Sequence, residues 1–135
     1  MKNLRLLATT ILEERERILA RWREQVRRLP SAAKLDMPAL NDHIPGWLAE
    51  LAACLLTVSE MPDDVGNVSS PMAHGLQRFE DGFDIEEVVS EYNILRDCVH
   101  ELAERETVDL RGPGRRFVDR VFDDSIATAV KAFAE

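Results

Sequence analysis

The residues best placed to do chemistry in this sequence are a histidine and an arginine that lie four positions apart. His74 and Arg78 would project from one face of a helix, because side chains at i and i+4 lie on the same side. The helix that follows offers four more polar side chains for the same surface: Glu87, Glu91, Tyr92 and Arg96. If the two helices pack as a hairpin, an imidazole, two guanidinium groups and two carboxylates come together. Such charge clusters occur in ligand sites and also in purely structural networks.

The simplest interpretation of this cluster is a polar network that fixes the hairpin, and a signalling or ligand-binding role is the alternative. Arg78 and Glu91 are the predicted ion pair, because an isolated buried charge would be costly. A different alternative makes His74 the iron ligand of a haem-binding, globin-type sensor. The charged neighbours of His74 and the short helix predicted around it argue against haem, so the sequence predicts no cofactor.

The other reactive residue types form no recognisable catalytic or metal-binding pattern. The sequence contains no P-loop, no glycine-rich dinucleotide motif and no nucleophile elbow. Adjacent carboxylates such as Asp123 and Asp124 would point in different directions on a helix. Cys54 and Cys98 each stand alone in an apolar helical pattern, which predicts two buried, reduced thiols. We therefore expect a protein that is not an enzyme and binds no metal.

The charge balance limits the partners that the chain can have. Its formal net charge is −8, which disfavours binding to nucleic acid and to anionic membrane surfaces. Six arginines between positions 15 and 28 alternate with glutamates, as is typical of a solvated helix face with ion pairs. The longest apolar run, residues 47–58, is too short to span a bilayer, and the N-terminus does not resemble a signal peptide. We expect a cytoplasmic protein.

Apolar residues that recur every three or four positions predict a chain built from helices. The first helix is predicted from Asn3 to Arg28, with one apolar stripe along its length that a second chain could cover. The second is predicted from Pro38 to Val58, and Pro45 interrupts it. Either this helix kinks at Pro45, or a new helix begins there with Pro45 in its first turn and Asp42 as its cap.

The next two helices form the predicted hairpin. The first of them spans Pro71–Asp81 and ends at Gly82, which would take a left-handed conformation. The second begins at Asp84, where Glu87 completes a capping box, and extends to about Arg105 with His100 exposed.

After a predicted turn at residues 109–114, the last helix is expected from Arg115 to Phe133. No strand pattern, internal repeat or linker is present. The predicted fold is therefore all-α, a bundle of about five to six helices in which residues 1–135 form a single domain.

Residues 74–96 also resemble a known family. They contain a histidine, an arginine four positions later, the Gly82-Phe83 turn, acidic residues, and an ending with the pattern Glu-Tyr-x-x-Leu-Arg at residues 91–96. This pattern resembles the RsbRD-type N-terminal domain of stressosome RsbT co-antagonist proteins and of bacterial sensor histidine kinases. Residues 18–22 and 40–45 resemble the first two helices of that family.

The resemblance implies a globin-like helical bundle that lacks haem and forms homodimers. It also implies an input role in stress-response signalling, in which the last helix passes a signal to an output module such as a histidine kinase, PAS or STAS region. The chain would then be the sensor domain at the N-terminal end of a longer signalling protein. From the net charge we expect no nucleic-acid or membrane partner.

Overall fold

The structure, a computed structural model, describes residues 2–30, 44–60 and 84–134. Within these ranges the chain is helical and contains no strand, which confirms the all-α prediction for the part described. The helices are α1 (Lys2–Glu13), α2 (Arg15–Val26), α3 (Ile44–Val58), α4 (Ile85–Arg105) and α5 (Gly112–Ala134).

The first two helices replace the single long helix that the sequence predicted. The break falls at Glu14, whose backbone φ and ψ of −104° and 18° leave the helical region. Within α1, the hydroxyl of Thr10 donates to the carbonyl of Leu6 at 2.7 Å, a contact that bends helices. Because of the break, α1 packs chiefly on α3 while α2 packs on α4.

The apolar stripe of α1 and α2 is buried inside the chain. Its members on both sides of the break are at most 3% exposed: Leu4, Leu7, Ala8, Ile11, Ile18, Leu19, Trp22 and Val26. The expectation that this stripe remains available to a second chain is therefore wrong, because α3 and α4 already cover it.

In the described residues, helix α3 spans Ile44–Val58 with Pro45 in its first turn; the two alternatives for this proline differ in residues 38–43, which lie outside the described residues. A first-turn residue has no intrahelical acceptor for its N–H, so proline loses no hydrogen bond there. The predicted residues before position 44, including Asp42, lie outside the described residues. So does the predicted helix Pro71–Asp81 with its Gly82 turn.

Helix α4 has the predicted start and end. Its N-terminal capping box is complete, because Asp84 Oδ1 accepts the backbone N–H of Glu87 at 2.8 Å while Glu87 Oε1 accepts the N–H of Asp84 at 3.3 Å. At the other end, the N–H of Val108 donates to the carbonyl of Ala103 at 2.8 Å. Together with a left-handed residue at Thr107, whose φ is +54°, this bond makes a Schellman motif.

Helix α5 begins at Gly112, three residues before the predicted start. Of the turn predicted at residues 109–114, only residues 109–111 therefore lie outside the helix. Gly112 has a φ of +58°, which glycine adopts without steric cost, and Pro113 occupies the first turn. The helix extends to Ala134, one residue beyond the prediction. None of the helices in the described ranges is long and apolar enough to cross a membrane.

Candidate functional site

The most extensive polar network in the described part of the chain lies where α4 packs on α5. We call it the α4–α5 seam, and its members are Arg96, His100, Arg115, Asp119 and Asp123. A guanidinium Nη2 of Arg96 donates to Asp123 Oδ1 at 2.7 Å. The side chain of Arg96 is only 20% exposed, whereas that of Asp123 is 66% exposed. The pair therefore joins a largely desolvated cation on α4 to a surface carboxylate on α5.

Asp119 is the shared acceptor of the seam. His100 Nε2 lies 3.0 Å from Asp119 Oδ1, and an Arg96 nitrogen lies 3.9 Å from the same oxygen. Arg115, one turn earlier on α5, approaches the other carboxylate oxygen of Asp119 at 3.8 Å. His100 was predicted to be exposed, but it is half-buried because this contact turns it toward α5.

Arg96 links this surface network to the aromatic core. Its guanidinium carbon lies 5.4 Å from the centroid of the Phe122 ring, within the range of a cation–π contact. The Nε atom of Arg96 is buried and has no hydrogen-bond partner among the residues that the structure describes. The stem of Arg96 is therefore enclosed by packing, while its terminal nitrogens reach the carboxylates of α5.

Beneath Phe122, the indole ring of Trp47 joins α3 to α4 and α5. The ring centroids of Trp47 and Phe122 are 4.8 Å apart, and those of Trp47 and Tyr92 are 6.0 Å apart. Trp47 Nε1 donates to the hydroxyl of Ser125 at 3.2 Å, and both side chains are buried. Three helices thus meet at one tryptophan whose polar atom is satisfied by α5.

The structure describes four of the six residues in the predicted polar cluster and separates them along α4. Glu87 is half-buried at the N-terminal capping box. Glu91 and Tyr92 are fully buried one turn later, where the backbone carbonyl of Glu91 accepts the indole N–H of Trp22 at 3.2 Å. Arg96 lies in the α4–α5 seam. His74 and Arg78 lie outside the described residues, so the predicted Arg78–Glu91 ion pair stays a prediction.

Sequence reasoning did not identify the partners of Arg96, although a signal for them exists. Arg96 and His100 are four residues apart on α4, and Asp119 and Asp123 are four residues apart on α5. Two such pairs of opposite charge on consecutive helices can align when the helices pack side by side. The core partners Trp47 and Ser125 gave no comparable signal.

The two thiols are buried as predicted, Cys54 at 7% and Cys98 at 3% exposure, and neither forms a disulfide. Burial raises the pKa of Cys54 to about 11. Burial, with a further contribution from the nearby Glu101 carboxylate, raises the pKa of Cys98 to about 12. At neutral pH both groups are protonated and behave as small apolar side chains.

In the described ranges, no group of three or more histidine, cysteine, aspartate or glutamate side chains is placed to hold a metal ion. The α4–α5 seam consists of hydrogen bonds and ion pairs between two helices. Comparisons of the chain with family models, with curated proteins and with solved structures found no match.

Proposed function

We propose that this chain is a non-enzymatic sensory input domain of a bacterial signalling protein. In this proposal it has the globin-like, RsbRD-type arrangement, acts in the cytoplasm as a homodimer without a cofactor, and passes its signal through α5 to an output module such as a histidine kinase. The resemblance of residues 74–96 to that family supports the role. The contact of Arg96 with both Asp123 and Phe122 of α5 is the observation on which the route of transmission rests.

The arrangement of contacts on α5 supports this route. Phe122, Asp123 and Ser125 are near neighbours in sequence, and they meet Trp47 of α3 and Arg96 of α4. Hydrogen bonds and ion pairs fix the rotation and register of a helix more narrowly than apolar packing does. A rearrangement of α3 or α4 would therefore turn or shift α5, which is how helix movements couple an input site to a distant output.

A fusion experiment tests this proposal. The chain is joined through α5 to the catalytic core of a histidine kinase, and autophosphorylation is measured. We expect Arg96→Met to change the output several-fold, because the ion pair with Asp123 is lost while the packing on Phe122 is largely kept. Arg15→Met, at an exposed position on α2, is the matched control and should leave the output unchanged.

Insertions between α5 and the kinase core provide an independent readout. A helix turns by about 100° per residue, so seven inserted residues restore the original face while two place the kinase on nearly the opposite side. The seven-residue insertion should preserve the effect of Arg96→Met, and the two-residue insertion should alter the basal output. An output that is indifferent to Arg96→Met and to both insertions would refute transmission through α5.

A further inference from the structure

Two exposed leucines lie along the surface where α1 packs on α3. Leu12 of α1 is 43% exposed and Leu56 of α3 is 37% exposed, although the side chains between the two helices are buried. A single exposed leucine is ordinary, but apolar side chains that share one surface mark an interaction site. The question is therefore whether these two share a surface.

An ion pair and the helical periodicity together place them on one side of the α1–α3 pair. Arg5 of α1 and Glu60, just after α3, approach to 3.3 Å, which places both on the same side of the helix pair. Thr9 and Leu12 lie four and seven residues after Arg5, while Leu56 and Ala53 lie four and seven residues before Glu60. Positions spaced by four and seven share a helix face, so both rows extend from the ion pair along one side of the α1–α3 pair.

We call this surface the outer groove and define it by Thr9, Leu12, Ala49, Ala53 and Leu56. It is more apolar than its composition indicates, because the hydroxyl of Thr9 donates to the carbonyl of Arg5 in its own helix at 3.1 Å. The hydroxyl of Thr9 is therefore satisfied within its own helix, and the five side chains that define the groove carry no charge. The ion pair of Arg5 and Glu60 marks one end.

We propose that a second copy of this chain packs on the outer groove. The chain carries a net charge of −8, so two copies repel each other wherever their surfaces bear unbalanced negative charge. The five residues that define the outer groove are uncharged. At its end, Arg5 and Glu60 are 61% and 72% exposed and have opposite signs. Arg5 and Glu60 already pair within one chain. Across a two-fold axis, Arg5 of each copy would also lie beside Glu60 of the other copy, which is the self-complementarity that an isologous contact requires.

This inference rests on the proposed homodimer and assigns its surface. The outer groove takes the place of the apolar stripe of α1 and α2 as the proposed dimer surface, because the fold buries that stripe while Leu12 and Leu56 are exposed. Sedimentation velocity over a concentration series tests it with the whole chain. We expect a reversible dimer whose dissociation constant rises at least about tenfold in Leu12→Asp and in Leu56→Asp, because each places a negative charge in an apolar contact.

Leu6→Asp is the matched control. Leu6 is also on α1 and is more exposed, at 46%, but it is displaced by about 100° from Arg5 around the helix. The Leu6→Asp variant should have the same dimer dissociation constant as the unmodified chain. Arg5→Glu should weaken the dimer, and adding Glu60→Arg should restore it. If a charged variant loses its helical circular dichroism, Leu12→Gln and Leu56→Gln provide the same comparison.

The outcomes separate this inference from the proposed function. A dimer that is unaffected by substitutions at Leu12 and Leu56 would overturn the outer groove as its surface and leave the homodimer standing. A chain that remains monomeric at every concentration would overturn both the groove and the dimeric part of the proposed function. The kinase fusion reports on transmission through α5 in either case.

Discussion

Replacing Thr107 by glycine should stabilise the protein. Thr107 is the left-handed residue of the Schellman motif that ends α4, with a φ of +54°. Its backbone N–H donates to the carbonyl of Glu104 at 3.2 Å, so the motif holds this conformation in place. The side chain is exposed, and its hydroxyl donates to the carbonyl of the preceding residue, Glu106, at 2.7 Å. Glycine would keep the backbone bonds of the motif and lose little else.

The size of the effect follows from two opposing contributions. A left-handed conformation costs a residue with a Cβ roughly 1–2 kcal/mol. Glycine loses more conformational entropy on folding, which offsets about 0.5–1 kcal/mol of that gain. The net stabilisation therefore lies between about 0 and 1.5 kcal/mol, centred near about 0.7 kcal/mol, and the melting temperature should rise by roughly 2–4 °C for a chain of this size.

Thermal unfolding followed by circular dichroism, with urea unfolding to obtain the free energy, measures this difference. Thr107→Ala is the first control, and it should gain less because alanine keeps the Cβ. Thr128→Gly is the second control, at a half-buried position within α5, and it should be destabilising because glycine weakens helix interiors. If Thr107→Gly proves neutral or destabilising, then strain at Thr107 is not a significant term in the stability of this protein.

Two further predictions concern the buried core. Ser125→Ala leaves the indole N–H of Trp47 buried without its acceptor, so it should cost about 1–3 kcal/mol in urea unfolding; Trp47→Phe combined with Ser125→Ala should cost less than the sum of the two single changes, and strictly additive losses would contradict the contact. The thiols predict a loss of stability in alkali. Their pKa values rise from 9.0 in the unfolded chain to about 11 and about 12 on folding, so their stabilisation is complete below pH 9 and is lost as the pH rises through the folded values. At pH 10 each thiol should have lost on the order of 1 kcal/mol, and replacing Cys54 and Cys98 by alanine should remove this part of the difference between unfolding at pH 8 and at pH 10. Equal pH dependence in the unmodified chain and the alanine variant would contradict it.

The sequence by itself determined the features that depend on neighbouring residues. The capping box of Asp84 and Glu87 joins atoms only three residues apart, so its pattern predicted the start of α4 to the residue. The burial of Cys54 and Cys98 followed from their places in apolar helical stripes. In each case the interaction is local, or the periodicity of a single helix is enough to fix which side chains face inward.

Only the tertiary structure decided how the helices meet. The apolar stripe from Leu4 to Val26 lapses over the five charged residues 13–17, but its helical periodicity resumes in phase at Ile18. The periodicity alone therefore predicted one long helix and not the break at Glu14, after which α1 packs on α3 and α2 packs on α4. An apolar stripe indicates which face of a helix is buried, but not which other helix covers that face. The covering helix depends on how all the helices of the chain pack together.

The same reason explains the seam and the outer groove. Arg96 was recognised as a polar residue of interest, but its partners are 23 and 27 residues away on α5. The exposure of Leu12 and Leu56 likewise depends on the angle at which α1 and α3 pack. Separations in sequence do not specify distances between helices, so these contacts and exposures were decided by the arrangement of the whole chain.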